Sequence, residues 1–127
     1  HAAGARGRRG EDRAALWLRC KFYRVLGRRV RTPAGEIDLI ARSPGGILCF
    51  IEVKTRSSEE YARPARAVDA RKRRLISQTA LDYLRLLDNP EVPFRFDIVE
   101  VLLEAGAVRE VRHLESAFNL SKPYRYG

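Results

Sequence analysis

The sequence has no methionine and contains only two cysteines and two histidines. Because methionine is absent, we expect that His1 is not the natural first residue. Cys20 and Cys49 stand among apolar residues and lack CxxC spacing, which predicts two small buried residues in a reducing compartment, neither zinc ligands nor disulfide partners. His113 has no histidine partner other than His1, so neither a histidine metal site nor a Ser-His triad is expected.

Long hydrophobic runs are also missing. No apolar stretch approaches the roughly 18 residues that a transmembrane helix needs, so no membrane contact is predicted. The arginine-rich start, residues 1–9, has no apolar centre and does not resemble a secretory signal. We therefore expect a cytoplasmic bacterial protein, associated with the nucleoid if it binds DNA. Residues 1–9 are predicted to form a flexible basic arm, residues 10–120 one domain, and residues 121–127 an irregular basic and aromatic tail.

Acidic residues are few relative to basic ones. There are 16 Asp and Glu against 25 Lys and Arg, for a net charge of +9 and a pI of about 10.2. Most of the basic residues are arginines, whose planar fork matches phosphate oxygens. The excess favours a polyanionic partner, although a GC-rich genome would also encode an arginine-rich solvated surface. Basic charge alone does not distinguish DNA from RNA.

The periodicity of apolar residues predicts seven elements. Helical spacing covers residues 10–26, ended by Gly27, and a second, longer helix covers residues 65–87 after a polar loop over residues 57–64. The predicted strands are a short one around residue 30, two forming a hairpin over residues 35–40 and 50–56, and two more over residues 94–102 and 108–114. The order αβββαββ predicts a mixed β-sheet flanked by helices, an α/β fold.

The hairpin has the clearest local pattern. Charged residues alternate with β-branched and apolar ones in both strands, and Ser43-Pro44-Gly45-Gly46 lies between them as a turn. If the hairpin centres on Gly45, residues equidistant from it face each other across the two strands. That register aligns Asp38 with Glu52, and Glu36 with Lys54.

Carboxylates placed opposite each other are unfavourable, because directly facing Cβ atoms in an antiparallel pair are only about 5 Å apart. A divalent cation between Asp38 and Glu52 would remove that repulsion. The same face is apolar near the turn, through Ile40 and Phe50, and ionic away from it. The sequence therefore predicts a charged site at the edge of a packed layer.

Two helical residues extend this site. Glu11 falls within the apolar stripe of the first helix, and Lys72 falls within the stripe formed by Val68, Leu75, Ile76, Thr79 and Tyr83 in the second. A charged side chain on a core-facing stripe is costly unless it is paired or lies near a metal. For Glu11 the alternative is a favourable charge in the first turn of its helix. For Lys72 it is an aliphatic stem that reaches past the sheet edge into water.

These residues suit metal-assisted phosphodiester hydrolysis. We expect Mg²⁺ (or Mn²⁺) to be held by Asp38, Glu52 and the backbone carbonyl of Val53, with Glu11 as a further ligand. Lys54 would orient the attacking water or stabilise charge in the transition state. Glu36 and Lys72 are predicted to support these groups.

The segments Gly-Glu-Ile-Asp-Leu-Ile-Ala (35–41) and Phe-Ile-Glu-Val-Lys-Thr-Arg (50–56) resemble the core of the PD-(D/E)xK nuclease superfamily. More narrowly, the chain resembles the bacterial YraN family, whose members are similar to archaeal Holliday-junction resolvases, and the likeness covers nearly the whole chain. It implies a restriction-endonuclease-like fold with Asp38, Glu52 and Lys54 as the catalytic core and Glu11 as an additional acid. The eponymous Pro-Asp is absent, since Ile37 occupies the proline position.

The surrounding charges are interpreted less specifically. Four arginines are predicted to bind nucleic acid: Arg56, Arg71, Arg73 and Arg74. Further arginines could add to this set: Arg63 and Arg66 before the second helix, and Arg6, Arg8 and Arg9 before Glu11. The alternative is that all of these arginines line solvated helix faces. Asp97 could take part directly, cap its strand or pair with an arginine. Glu59 and Glu60 are expected to be solvated.

Together these features predict a Mg²⁺-dependent endonuclease that acts on branched or otherwise structured DNA. The alternative is a basic nucleic-acid-binding protein of the same fold without measurable catalysis, and a third hypothesis is an RNA-binding accessory protein. A homodimer is left open.

Overall fold

The computed structural model describes residues 4–57 and 68–122, with side chains from residue 7 onward. The order αβββαββ is as predicted. The elements are α1 (Gly4–Cys20), β1 (Arg24–Thr32), β2 (Gly35–Arg42), β3 (Leu48–Ser57), α2 (Ala70–Leu86), β4 (Phe94–Glu104) and β5 (Ala107–Phe118). Several predictions lie outside the described residues: the polar loop beyond Ser57, the solvation of Glu59 and Glu60, the contribution of Arg63 and Arg66, and most of the tail. The predicted second helix begins at residue 65, but Val68 and Asp69 are not helical and α2 begins at Ala70.

The five strands form one mixed sheet in the order β1-β2-β3-β4-β5. Neighbouring strands are antiparallel except for β3 and β4, which run parallel because α2 lies between them in the chain. The hairpin register is confirmed where the ladder is formed, since Leu39 pairs with Ile51 and Ile40 with Phe50. The predicted mixed sheet with flanking helices is therefore observed.

Two hydrophobic cores lie on opposite faces of the sheet. The α1-side core contains Leu39, Ala41, Cys49 and Ile51 together with Leu18 of the helix. The α2-side core contains residues that alternate with these along the same strands, and Phe50, Phe96 and Leu84 are among its largest members. Because each face of β3 packs on a helix, its apolar end is buried on both sides and its ionic end marks the rim of the sheet.

The bounds of helix α1 differ from those predicted for the first helix. It spans Gly4 to Cys20, so it begins and ends earlier than the predicted Gly10 and Leu26. Residues 4–9, predicted as a flexible arm, are helical. Val25 belongs to β1, where it pairs with Ala41, and Phe22 is 84% exposed in the connecting turn rather than buried. The segment around Val25 forms a strand paired with β2, although the spacing of its apolar residues predicted a helix. Cys20 is exposed, contrary to prediction, whereas Cys49 is buried as predicted.

Helix α2 has the expected C-terminal end and a capped N-terminus. The Asp69 side chain accepts a hydrogen bond from the Lys72 backbone N–H at 2.8 Å, which satisfies one of the free amides of the first turn. Its buried face runs through Ile76, Ala80 and Leu84, and Leu75 is 41% exposed. The buried stripe is therefore rotated from the predicted one, so that Lys72 lies at its edge rather than inside it.

Gly10 brings α1 close to β3. A Cβ atom at this position would lie 1.9 Å from the Thr55 hydroxyl oxygen, so only glycine permits this approach of the helix to the strand. The contact places the following residue, Glu11, near the ionic end of the hairpin. Neither described helix has the length and apolar character to cross a membrane.

Candidate functional site

The strands of the hairpin separate at Asp38. The β2–β3 ladder ends at the Leu39–Ile51 pair, and beyond it the Asp38 carboxylate accepts a hydrogen bond from the Val53 backbone N–H at 2.8 Å. The alternation of β2 side chains between the two faces of the sheet also ends here, because Ile37 packs in the same α2-side core as Ile40. A side chain thus takes the place of a ladder bond, and the carboxylate is held at the fork between two strands.

Asp38 and Glu52 contact each other at this fork. Their carboxyl groups are within hydrogen-bond reach, and burial together with the negative charge of Glu52 raises the pKa of Asp38 to about 8. The hydrogen bond from Val53 opposes that rise only in part. The predicted meeting of the two carboxylates is therefore observed. Retention of one proton between the two carboxyl groups would relieve their repulsion.

Two lysines lie beside the carboxylates. The Lys72 ammonium is 3.2 Å from Glu52 Oε2, and its side chain is 50% exposed while that of Glu52 is 12% exposed. Lys54 is half-buried, and burial and the neighbouring Arg56 and Lys72 lower its pKa. Within the described ranges no carboxylate oxygen lies within 4 Å of the Lys54 ammonium, although the charges of Glu52 and Glu100 act on it.

Glu11 is held apart from the carboxylate pair. Its side chain, 8% exposed, accepts a hydrogen bond from Arg29 Nε at 2.8 Å. Arg29 has φ of 49°, an uncommon conformation for a non-glycine residue, and lies on β1 beside the fork. Glu11 is close enough to Asp38 to contribute to the increase in its pKa. Since α1 begins at Gly4, Glu11 is not in the first turn, and the helix-dipole interpretation is wrong.

Arg56 lies inside the protein rather than on an open surface. Its side chain is 13% exposed, and its Nε is 3.2 Å from Glu100, a carboxylate with no exposure at all. Arg112 of β5 lies 3.7 Å from the same carboxylate. Little of the Arg56 guanidinium is available for phosphate, which argues against its predicted role in binding nucleic acid.

Glu100 is a buried acid that the sequence reasoning missed. It pairs in register with Lys54 across the parallel strands β3 and β4, and its charge counteracts the lowering of the Lys54 pKa. The available signal was an acidic residue in the middle of the otherwise apolar run from Ile98 to Leu103. Such a residue in a buried strand needs a cationic partner, and here the partners come from both neighbouring strands.

A small cleft opens between the fork and α2. It has a volume of about 230 Å³ and is lined by Gly35, Glu36, Asp38, Lys72, Leu75 and Ile76. Glu36 is paired with Arg31 at 2.6 Å, so its charge is already balanced. The cleft gives a ligand access to Asp38 past Lys72.

The four consecutive cations near the start of α2, residues 71–74, do not form one patch. Successive residues in a helix are turned by about 100°, and Lys72 faces the cleft at Asp38. Arg73 and Arg74 instead line a second cleft, on the side of α2 that faces the end of β5. Of the predicted DNA-binding residues on this helix, Arg71 is exposed and lines neither cleft.

Asp97 lies in a separate buried network on the α1 side. Its carboxylate, with no exposure, accepts hydrogen bonds from Arg95 Nε at 3.0 Å and the Ser116 backbone N–H at 3.0 Å. His113 Nε2 is 2.7 Å away. Asp97 is thus the salt-bridge partner of an arginine, one of the predicted alternatives, and this network does not join the Asp38 site. Burial raises the pKa of the nearby Cys49 thiol to about 12, which keeps it neutral.

The carboxylate pair fits a divalent cation as a partial ligand set. Mg²⁺ is commonly bound by one or two carboxylates together with waters and substrate phosphates. Asp38 and Glu52 supply the carboxylates, and the Val53 carbonyl stays a predicted third ligand. Over residues 4–57 and 68–122, no group of three or more His, Cys, Asp or Glu side chains forms a metal site. Glu11 stays a predicted further ligand.

Comparison with known proteins identifies the family. The sequence model described as "Uncharacterised protein family UPF0102" matches residues 10–101. A UPF0102 protein of Chlorobaculum parvum is 45% identical over 123 residues, covering 93% of this chain and 95% of that protein. A UPF0102 protein of Symbiobacterium thermophilum is 42% identical over 113 residues, covering 89% of this chain and 95% of that protein. The chain therefore belongs to the UPF0102 family.

Proposed function

We propose that this protein is a Mg²⁺-dependent endonuclease of the PD-(D/E)xK superfamily that hydrolyses phosphodiester bonds in branched or otherwise structured DNA. We place it in the bacterial cytoplasm, with homodimer formation left open. The observation that carries the proposal is the buried contact between Asp38 and Glu52 at the fork of β2 and β3, with Lys54 beside it. Two carboxylates held together repel each other unless a proton or a cation lies between them.

The chemistry of the neighbouring side chains supports hydrolysis of a phosphodiester. A bound divalent cation supplies polarisation of the phosphate and a water of lowered pKa. The Lys54 ammonium stabilises the negative charge that develops on the phosphate oxygens. Val53 fixes the orientation of Asp38 through its backbone N–H, so the carboxylate needs no reorganisation when substrate binds. The net charge of +9 favours association with a polyanion.

A second function, DNA binding without cleavage, is favoured by the internal counter-ions. Lys72 pairs with Glu52, and Arg29 pairs with Glu11, so two of the predicted acids already have a cation within the protein. A site neutralised in this way could serve only to hold the hairpin together.

Cleavage assays on several DNA shapes separate the two functions. We expect the wild-type protein to bind four-way, flap and gapped DNA, and to cut at least one of them with Mg²⁺ or Mn²⁺ and none with EDTA. Linear duplex DNA and a structured RNA serve as comparison substrates. If the protein binds branched DNA tightly yet never cuts it with either metal, the binding function replaces the proposal. Preferential binding and cutting of RNA would instead support the third hypothesis.

Replacing Lys72 tests whether its ammonium competes with a metal for Glu52. We expect Lys72→Gln to increase the affinity for Mn²⁺ by roughly twofold to fivefold, because a half-exposed ion pair contributes up to about 1 kcal/mol. Isothermal titration calorimetry with Mn²⁺ alone measures this. Arg71→Gln is the matched control, since it removes the same charge from the adjacent, exposed position. A lower Mn²⁺ affinity in Lys72→Gln than in the control would contradict the competition.

A further inference from the structure

The second cleft beside α2 has features of a binding site that lies apart from the carboxylates. It has a volume of about 500 Å³ and lies between the start of α2 and the segment that follows β5. Its charged side chains are Arg73, Arg74 and Lys122, and no acidic residue of the described chain lines it. The cleft therefore presents three positive charges to its contents.

Among residues 4–57 and 68–122, no ion pair neutralises the two arginines of this cleft. In the described part of the chain, no carboxylate oxygen lies within 4 Å of Arg73 or Arg74. Arg85 of the same helix shows the contrast, because it pairs with Asp82 at 3.3 Å. Crowded like charges are unfavourable, and an anion in the cleft would relieve them.

The walls of the cleft are fixed to the core. The Ser121 backbone N–H donates to the buried Ser77 hydroxyl of α2 at 3.0 Å, which ties the segment after β5 to the helix. Phe118 stacks on Phe96 with ring centroids 5.1 Å apart, and it lines the cleft as an apolar surface. Asn119 and Ser121 add polar groups. A preformed cleft of this kind reduces the entropic cost of binding.

We infer that this cleft binds a single-stranded segment of nucleic acid through its backbone phosphates. Grooves that hold single strands combine cations along the backbone with apolar or aromatic surface for the bases, and both are present here. The volume is that of a site for a small ligand, which fits one or two nucleotides of an unpaired strand. Single-stranded nucleic acid is thus the occupant that size and charge favour.

The second cleft lies on the same helix as the cleft at Asp38, so a single strand bound in it would lie near the proposed reaction site. This part of the inference rests on the proposed function. Lys72 and Arg73 are consecutive but line different clefts, Lys72 the cleft at Asp38 and Arg73 the second cleft. A DNA that carries a single-stranded arm beside the scissile phosphate could pass around the start of the helix. Flap or forked DNA is therefore the substrate class that the two clefts together favour.

Binding of a labelled oligothymidylate of about ten nucleotides, without metal, tests the cleft. The variant Arg73→Gln/Arg74→Gln/Lys122→Gln should bind on the order of tenfold more weakly, and the slope of log affinity against log salt should fall by about 2, as expected for three phosphate contacts on a single strand. Fluorescence anisotropy over a salt series gives both quantities. A blunt duplex probe should be affected less.

A variant of equal charge controls for net charge. Arg19→Gln/Arg85→Gln/Arg109→Gln removes three exposed arginines outside the cleft, two of them paired with Asp82 and Glu104. We expect it to bind the oligothymidylate nearly as the wild type does. Equal weakening by both variants, an unchanged slope in the cleft variant, or an equal loss for the duplex probe would overturn the inference. Because binding is measured without metal, failure to cut DNA would reject the nuclease and leave this result standing.

Discussion

Glu52→Gln and Asp38→Asn should each abolish metal-dependent cleavage while leaving DNA binding intact. Both changes keep side-chain size and remove a charge that holds the cation. Even residues that only orient metal ligands contribute about 10- to 100-fold in affinity, so loss of a ligand should exceed about 100-fold in Mn²⁺ affinity. Branched-DNA binding should be unchanged or tighter, since less negative charge faces the phosphates. Calorimetry with Mn²⁺ and single-turnover cleavage measure the two effects.

Lys54→Ala should separate chemistry from metal binding. Removing one positioned donor costs about 100- to 1000-fold in rate, and we expect Mn²⁺ affinity to stay within a few-fold of the wild type.

For the two carboxylate variants, Glu104→Gln is the control for loss of a carboxylate, because Glu104 is exposed and pairs with Arg109 near the end of β4. Cleavage that continues undiminished in Glu52→Gln would point to a contaminating nuclease or to another site in the chain.

Asp97→Ala should cause the largest loss of stability among the charged residues considered. The Asp97 carboxylate is fully buried and is the acceptor for Arg95, whose side chain is only 15% exposed. Removing one partner of a buried pair costs about 3–5 kcal/mol when the other charge is left uncompensated. Here Arg95 keeps the more exposed Glu115 at 3.6 Å, so we expect a loss toward the lower end of that range. The Ser116 backbone N–H would also lose its acceptor. Urea denaturation followed by circular dichroism gives the change in the free energy of unfolding.

An exposed carboxylate with a still shorter arginine ion pair is the comparison. Asp12 lies 2.6 Å from Arg28, but its side chain is 67% exposed. We expect Asp12→Asn to lower the free energy of unfolding by less than about 1 kcal/mol. If Asp97→Ala does not yield folded protein, the milder Asp97→Asn should still lose more stability than Asp12→Asn. Equal losses in the two asparagine variants would show that burial of the Asp97 network is not what makes it stabilising.

The hairpin could be predicted from local sequence because its signals are local. Alternation with a period of two assigns each side chain to a face, and a slip of one residue would expose the apolar set. The turn at Gly45 then left one register that buried Ile40 and Phe50 together, and this register is observed. Asp38 and Glu52 could be predicted to meet for the same reason.

Helix α1 could not be placed correctly because its signal is ambiguous at the C-terminal end. Phe22 and Val25 continue the helical spacing of Ala14 and Leu18, yet the helix ends at Cys20. Val25 instead pairs with Ala41 of β2, a contact between segments distant in sequence. Local periodicity contains no information on that pairing, so the predicted helix was displaced.

The sequence by itself determined the order of the elements, the hairpin register and the carboxylate pair, because period-two alternation and turn residues act over short distances along the chain. Only the tertiary structure decided which cation each acid meets. Arg29 reaches Glu11, Lys72 reaches Glu52, and Arg56 reaches Glu100. The same holds for the two sides of α2, where packing against the sheet turned Lys72 toward Asp38 and Arg73 toward the second cleft. Such pairings depend on how strands and helices are arranged in space, which the spacing of residues in one segment does not specify.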